Sequence, residues 1–187
     1  MSEPAATPPV RTQAPAAQGA SREELERAFN DMRVELVSTL YYFLGNYEDA
    51  QDAAQETWLK CWRGLETATD IRNLRAWVFR VGLNAAKDLQ RNAWRRRARP
   101  LVGACTLAQG NGLSPVEAAE DRETQQQLRQ ALLDLRTEEK EVFLLRFNAG
   151  LTYEEIAKLR SSPVGTVKTH LLRGKQKLKA QLEAWNT

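Results

Sequence analysis

The chain has 187 residues, 42% of them hydrophobic, and a formal net charge of +3, which suits one medium domain or two small ones and makes the basic character a matter of location. No run of roughly 18 apolar residues exists, so nothing is expected to insert in a membrane, and residues 1–20 lack the basic opening and apolar block of a secretory signal. Cys61, Cys105 and the single histidine, His170, give no zinc-ligand spacing and no disulfide framework, so both thiols read as reduced in a cytoplasmic protein without metal or cofactor.

Residues 1–20 are rich in Ala and Pro, with Glu3 and Arg11 as their only charges, and hold too little apolar surface to offset ordering entropy; they read as a disordered tail. Ser21 and Glu24 then form a capping box, followed at helical spacing by Leu25, Ala28, Phe29, Met32, Leu36 and Leu40. Gly45–Asn46 punctuates this pattern. A second helix is predicted from about Glu48 to Arg63, with Ala50, Ala54, Trp58, Cys61 and Trp62 on one side. Asp49, Asp52 and Glu56 share another face, either a solvated surface or a docking site for a basic partner. No histidine, metal cluster or nucleophile accompanies these acids, which excludes a catalytic pair.

The third predicted helix runs from about Asn73 to Arg97, with Leu74, Trp77, Val78, Val81, Ala85 and Leu89 inward. Arg80, Asn84, Lys87 and Arg91 make a polar stripe, and Arg95, Arg96, Arg97 and Arg99 continue it. Lys87 to Arg99 holds six cations against Asp88 alone, a density that fits a phosphate backbone, although a helix C-terminus also favours solvated arginines. Trp77, Phe79 and Trp94 are interleaved with this charge; flat rings can stack on unpaired bases, while Trp77 itself reads as core. Regularity is lost from Ala98 to about Thr124, where Pro100, Gly103, Gly110, Gly112 and Pro115 break structure; Glu117, Glu120, Asp121 and Glu123 make the end acidic. This is a linker between two domains, either a soluble spacer or an occupant of a nucleic-acid channel.

The second half opens with a helix from about Gln125 to Leu135, with Leu128, Ala131, Leu132 and Leu135 inward. Thr137 is read as the cap of the next helix, Glu138 and Glu139 lie in its positive first turn, Val142, Phe143, Leu145 and Phe147 supply core, and Gly150 stops it in a left-handed conformation. Thr152 and Glu155 form another capping box before Ile156, Ala157 and Leu159. After Arg160, Ser161 and Ser162, the pair Ser162–Pro163 restarts a helix as cap and first residue, with Val164, Val167, Leu171 and Leu178 inward. Arg160, Lys168, Arg173, Lys175, Lys177 and Lys179 charge this segment, and no acid interrupts it between Glu155 and Glu183. A short capped helix, a tight turn and a basic helix is the layout that lays a helix in the DNA major groove. It also suits any helical hairpin or a solvated basic C-terminal helix.

Two all-helical modules, each with a basic face, therefore make up the chain: a tail at 1–20, a module at 21–97, a flexible linker at 98–125 and a helix-turn-helix module at 126–187. In GNYEDAQDAAQETWLKCW (45–62), NLRAWVFRVGLNAAKDLQR (73–91), EEKEVFLLRFNAGLTYEEIAKL (138–159) and SPVGTVKTHLLRGKQKL (162–178), taken in this order, the chain resembles the bacterial RNA polymerase sigma factors of the extracytoplasmic-function (ECF) group. The resemblance implies a non-catalytic promoter-specificity subunit of core RNA polymerase. It places Asp49, Asp52, Gln55, Glu56 and Trp58 on the coiled coil of the polymerase clamp. It gives Asn84 an extruded base of the −10 element, a base whose edge an amide can read as both donor and acceptor, and sets Arg80, Lys87, Arg91, Arg95, Arg96 and Arg97 along the adjoining strand and phosphates.

In the second module the resemblance implies that Lys168, Thr169, Leu172 and Arg173 meet the −35 element, that Arg146 adds a backbone contact, and that the core-side helices grip the polymerase flap. It also implies an anti-sigma factor or other regulator as a partner. The chain departs from the family at Arg160–Ser161–Ser162, where Leu-Gly and an apolar residue are usual, so Ser161 is expected to be strained or the turn to differ. His170 replaces a usual arginine and Gly174 a usual alanine, which leaves the −35 contacts less secure than the −10 contacts. The alternative is a free-standing helix-turn-helix regulator of duplex DNA. That leaves the acidic face and the basic third helix without roles, and a nucleic-acid-processing enzyme would lack acid/base, nucleophile and metal candidates.

Overall fold

The computed structural model describes residues 21–66, 71, 73–96 and 115–185, except for the side chains of 93–96 and 115–122. Eight helices and no strand lie among the described residues: α1 (Arg22–Asp31), α2 (Arg33–Leu44), α3 (Tyr47–Gly64), α4 (Leu74–Arg96), α5 (Pro115–Leu133), α6 (Thr137–Phe147), α7 (Tyr153–Arg160) and α8 (Val164–Trp185). This is the expected all-α chain of two helical modules, α1–α4 and α5–α8. The tail at 1–20, Arg97, Cys105 and the linker as far as residue 114 lie outside the described residues, as do the side chains of Trp94, Arg95 and Arg96.

The first module forms because α1 and α2 present Leu25, Phe29, Met32, Leu36, Leu40 and Phe43 to α3 and α4. Ser21 and Glu24 close the expected capping box at the start of α1. The pattern read as one helix is two, because the chain pauses at Met32 (φ −101°, ψ 6°). The apolar spacing runs unbroken through this joint, so periodicity could not reveal it. Thr39 and Thr57 are buried because each hydroxyl donates to the carbonyl four residues earlier, to Glu35 at 2.7 Å and to Ala53 at 2.5 Å. Gly82 lets α4 come close: a Cβ there would stand 3.0 Å from Leu36 and 3.3 Å from the Thr57 hydroxyl.

In the second module α5 begins at Pro115, inside the stretch read as irregular, because proline at a first helical position is favoured. Thr137 is the first residue of α6, not its cap; Arg136 holds the cap position and its N–H donates to Glu139 at 3.4 Å. Gly150 is left-handed as expected (φ 69°). Phe147, expected in the core, is 50% exposed. Its ring lies at 4.7 Å from Phe143 and beneath the Lys175 ammonium at 4.9 Å.

The α7–α8 turn carries the expected strain. Ser161 adopts φ 51°, ψ 45°, the one positive φ on a non-glycine among the described residues. The Ser162 N–H donates to Ala157 at 2.9 Å and closes α7. The Ser162 hydroxyl, however, is buried without a hydrogen-bond partner, and α8 starts at Val164 after Pro163, so this serine does not cap. An L-residue in the left-handed region costs roughly 1–2 kcal/mol. Ser161→Gly is therefore expected to stabilise the chain by about 0.5–1 kcal/mol, net of the added freedom of the unfolded chain. Gly174→Ala should add a similar amount, roughly 0.5–1 kcal/mol from helix propensity. A Cβ at Gly174 would meet only ordinary contacts, at 3.6–3.8 Å from Glu139 and Leu135. Urea midpoints that rise at unchanged slope would bear out both expectations; unchanged or lower midpoints would refute them.

The two modules pack on each other. α5 and α6 lie against α2, and α7 lies against α4. The Arg129 guanidinium donates to the Gly45 carbonyl at 2.7 Å and covers the Tyr41 ring at 5.9 Å. Leu133 fills the space beside Gly45. The first turn of α6 buries three consecutive charges, Glu139, Lys140 and Glu141.

Candidate nucleic-acid interface

On α3, Asp52, Gln55 and Glu56 are exposed and Asp49 and Trp58 are half-buried. The helix is held by its Asn46 cap, whose side chain accepts from the Glu48 N–H at 2.9 Å. Trp58 is fixed between Phe29 (5.0 Å) and Trp62 (5.2 Å), with the Arg22 guanidinium over Trp62 at 5.0 Å. Cys61 is buried beneath this face, and desolvation pushes its thiol up to about 12. A cleft of about 560 Å³ separates α3 from α4, lined by Asp52, Glu56, Lys60, Asp88, Arg91 and Asn92. Lys60 lies 3.5 Å from Glu56 and 3.7 Å from Asp88, which partly neutralises the acidic row. Asp88 is held below its usual range, first by the Arg91 hydrogen bond and then by the Arg91 and Lys60 charges.

Along α4, Arg80, Asn84 and Arg91 are exposed, so the expected stripe exists on the outer surface. Lys87 differs: its side chain is 28% exposed and its ammonium donates to Glu141 of α6 at 2.7 Å. Phe79, read as a ring for stacking on bases, is 0% exposed and belongs to the core. The spacing placed it beside the cations in sequence, but its position on the helix turns it inward against the first module.

Lys168, Thr169, Leu172 and Arg173 are all exposed on one side of α8, with Leu172 at 58%. Thr169 donates to the Gly165 carbonyl at 2.9 Å, and Arg173 makes no ion pair among the described residues. Lys168 and Arg146 converge on one ring: the ammonium lies 5.6 Å and the guanidinium 5.0 Å from the centroid of Tyr153. Arg146 also donates to the Leu151 carbonyl at 2.9 Å, so it is a positioned cation between α6 and α7. Tyr153 carries no helical-spacing signal for this role, because it, Arg146 and Lys168 lie on three different helices, α7, α6 and α8. The other basic residues are more engaged than the charge run suggested. Arg160 pairs with Glu141 at 2.7 Å, Lys177 with Glu139 at 2.6 Å and Lys179 with Glu183 at 3.6 Å.

Three further groups went unread in the sequence. Burial pushes the Glu139 carboxyl up, but its Lys177 hydrogen bond and charge outweigh this and leave it below its ordinary value. Burial pulls Lys140 below the usual lysine value; its ammonium lies 3.4 Å from the carbonyls of Phe43 and Leu133, at the C-terminal ends of α2 and α5, and 5.4 Å from the Phe43 ring. Glu155 accepts from the Thr152 N–H (2.7 Å), the Thr152 hydroxyl (2.9 Å) and the Asn73 amide of the other module (2.6 Å), and these bonds, led by the Thr152 N–H, hold it below its usual range. A carboxyl lowered on folding contributes stability in full above its unfolded value of about 4.3 and loses it as pH falls through the folded value. Glu155→Ala should therefore destabilise by about 1 kcal/mol near neutrality. The gap to the unsubstituted chain should shrink below about pH 4. A pH series of denaturation midpoints with a gap independent of pH would contradict this.

No described helix is long and apolar enough to cross a membrane, and no group of metal-ligating side chains of the size needed for an ion occurs among the described residues.

Comparison with known proteins matches residues 29–96 to Sigma-70 region 2 and residues 125–178 to Sigma-70, region 4. The chain is 28% identical over 154 residues to the ECF RNA polymerase sigma factor SigW of Bacillus subtilis, covering 76% of this chain and 80% of that one. It is 31% identical over 144 residues to the RNA polymerase sigma factor CnrH of Cupriavidus metallidurans, covering 73% and 74% respectively. Among solved structures it resembles CnrH in complex with the cytosolic domain of CnrY (TM-score 0.64, 25% identity, 88% and 90% covered). The sigma factor RpoE of Bartonella quintana in complex with the anti-sigma factor NepR shares the fold (TM-score 0.68, 21% identity, 86% and 98% covered). With both regions in order and a 31% identical relative spanned over most of its length, the chain belongs to the ECF group of RNA polymerase sigma factors.

Proposed function

We propose that this sigma factor docks on the clamp coiled coil of core RNA polymerase through Asp49, Asp52, Gln55, Glu56 and Trp58, and captures the melted −10 strand along α4. Asn84 reads an extruded base while Arg80, Lys87, Arg91, Arg95, Arg96 and Arg97 hold the strand. α8 reads the −35 duplex through Lys168, Thr169, Leu172 and Arg173, with Arg146 on the backbone, while the second module holds the polymerase flap. What supports the reading is one arrangement: an exposed amide on α4 between exposed arginines, and a separate exposed basic face on α8. Extruding a base costs a few kcal/mol, which contacts to its edge offset, and counterion release from phosphates supplies the rest. Two of the similar structures are complexes with CnrY and with the anti-sigma factor NepR. A regulator that masks these faces is the corresponding partner proposed here.

A free-standing duplex regulator is not favoured, since both sigma regions are matched. Band shifts on promoter DNA test the choice. Retardation that needs core polymerase supports the proposal; tight sequence-specific binding by the isolated chain would count against it.

A further inference from the structure

Asp88 is the single acid of α4, a turn beyond Asn84 and a turn before Arg91, in the middle of the stripe proposed to hold the strand. It is held below its usual range and is therefore ionised at neutral pH. A carboxylate beside a phosphate repels it. By charge alone, then, Asp88 works against strand capture.

The contacts of Asp88 show how that charge is used. Its Oδ1 accepts from the Arg91 guanidinium. Its Oδ2 faces the Lys60 ammonium at 3.7 Å. Lys60 reaches over from α3, where it also lies 3.5 Å from Glu56. All of these residues line the cleft between α3 and α4. Lys60 and Arg91 together outweigh Asp88, so the group stays positive toward the strand. An unheld arginine side chain samples many rotamers and loses that freedom when it takes a phosphate. The bond to Asp88 occupies part of a rigid fork of N–H donors and leaves the rest for a second acceptor. The Arg91 side chain is 73% exposed, so those remaining donors are open to an incoming strand.

We infer that Asp88 is a positioning residue for initiation: it orients Arg91 toward a phosphate of the −10 strand, while Lys60 of α3 cancels its own repulsion of that strand. This rests on the strand-capturing role proposed above for α4. Lys60 also touches the face proposed to meet the clamp, so its loss should divide the two activities. Asp88 would stand unbalanced beside the strand, whereas Glu56 would be freed of a competing cation.

The test uses the full chain assembled with core polymerase, with promoter opening followed by permanganate reactivity across a salt series. Asp88→Asn should lower opening about threefold to fivefold, the range open to an exposed ion pair. The salt dependence should become shallower, by up to about one phosphate contact. Asp88→Glu should recover at least about half of the loss, because a glutamate three residues before an arginine still reaches it. Asp88→Asn added to Arg91→Ala should cost nothing beyond Arg91→Ala alone, because Asp88 acts through Arg91. Lys60→Met should lower opening about twofold to threefold without weakening association with core polymerase. Charge alone predicts the opposite sign for Asp88→Asn. Unchanged or increased opening in Asp88→Asn, no recovery in Asp88→Glu, or a further loss on top of Arg91→Ala would each overturn the positioning role. Full opening by Arg91→Ala would instead overturn the underlying assignment of Arg91 to the strand.

Discussion

Asn84→Ala is expected to reduce promoter opening by about tenfold to a hundredfold, the scale of losing the contacts that offset base extrusion. Its association with core polymerase should change less than about twofold, because surface substitutions of this kind leave stability within about 0.5 kcal/mol. Asn84 is exposed on α4, and its side chain makes no hydrogen bond among the described residues. Permanganate reactivity of unpaired thymines reports the opening, and a polymerase-binding titration reports the association. Equal loss in both would remove Asn84 from the strand-capturing role.

The second large effect is expected on α8. Lys168→Ala with Arg173→Ala should weaken −35-dependent initiation by about tenfold at moderate salt, and should lower the salt dependence by about two phosphate contacts. Lys168 shares the Tyr153 ring with Arg146, while Arg173 has no ion pair among the described residues to give up. Their loss therefore removes charge from the DNA side without unpairing a buried acid. Initiation rates from a promoter with a −35 element, measured across a salt series, read this out. A slope identical to that of the unsubstituted chain would show that the register of α8 has been misread.

Local chemistry made the helices readable. The capping boxes at Ser21–Glu24 and Thr152–Glu155 close as the residue types require, and the misfit of serine at position 161 appears as a positive φ. Helical spacing marks Asn84 within a polar stripe, and the family pattern marks Lys168, Thr169, Leu172 and Arg173; all five are exposed, as the proposed DNA-facing roles require.

What escaped was set by distant partners. Glu139, Lys140 and Glu141 look solvated in EEKEVFLLRF, yet they are buried because Lys177, the ends of α2 and α5, and Lys87 with Arg160 receive them. Phe147 looks like core and is half-exposed, while Phe79 looks available and is enclosed. Pro115 was read as a breaker although proline is equally at home in a first turn. The packing of one module on the other depends on side chains more than fifty residues apart, such as Lys87 with Glu141. No local pattern encodes that.

The most direct measurement is equilibrium binding of the full chain to core RNA polymerase, with and without Asp49→Ala, Asp52→Ala and Glu56→Ala. The expected result is a one-to-one complex with Kd below about 1 μM, weakened at least about tenfold by the triple substitution. Absence of any association with core polymerase, in buffers where the chain is folded, would contradict the role assigned to every face described above.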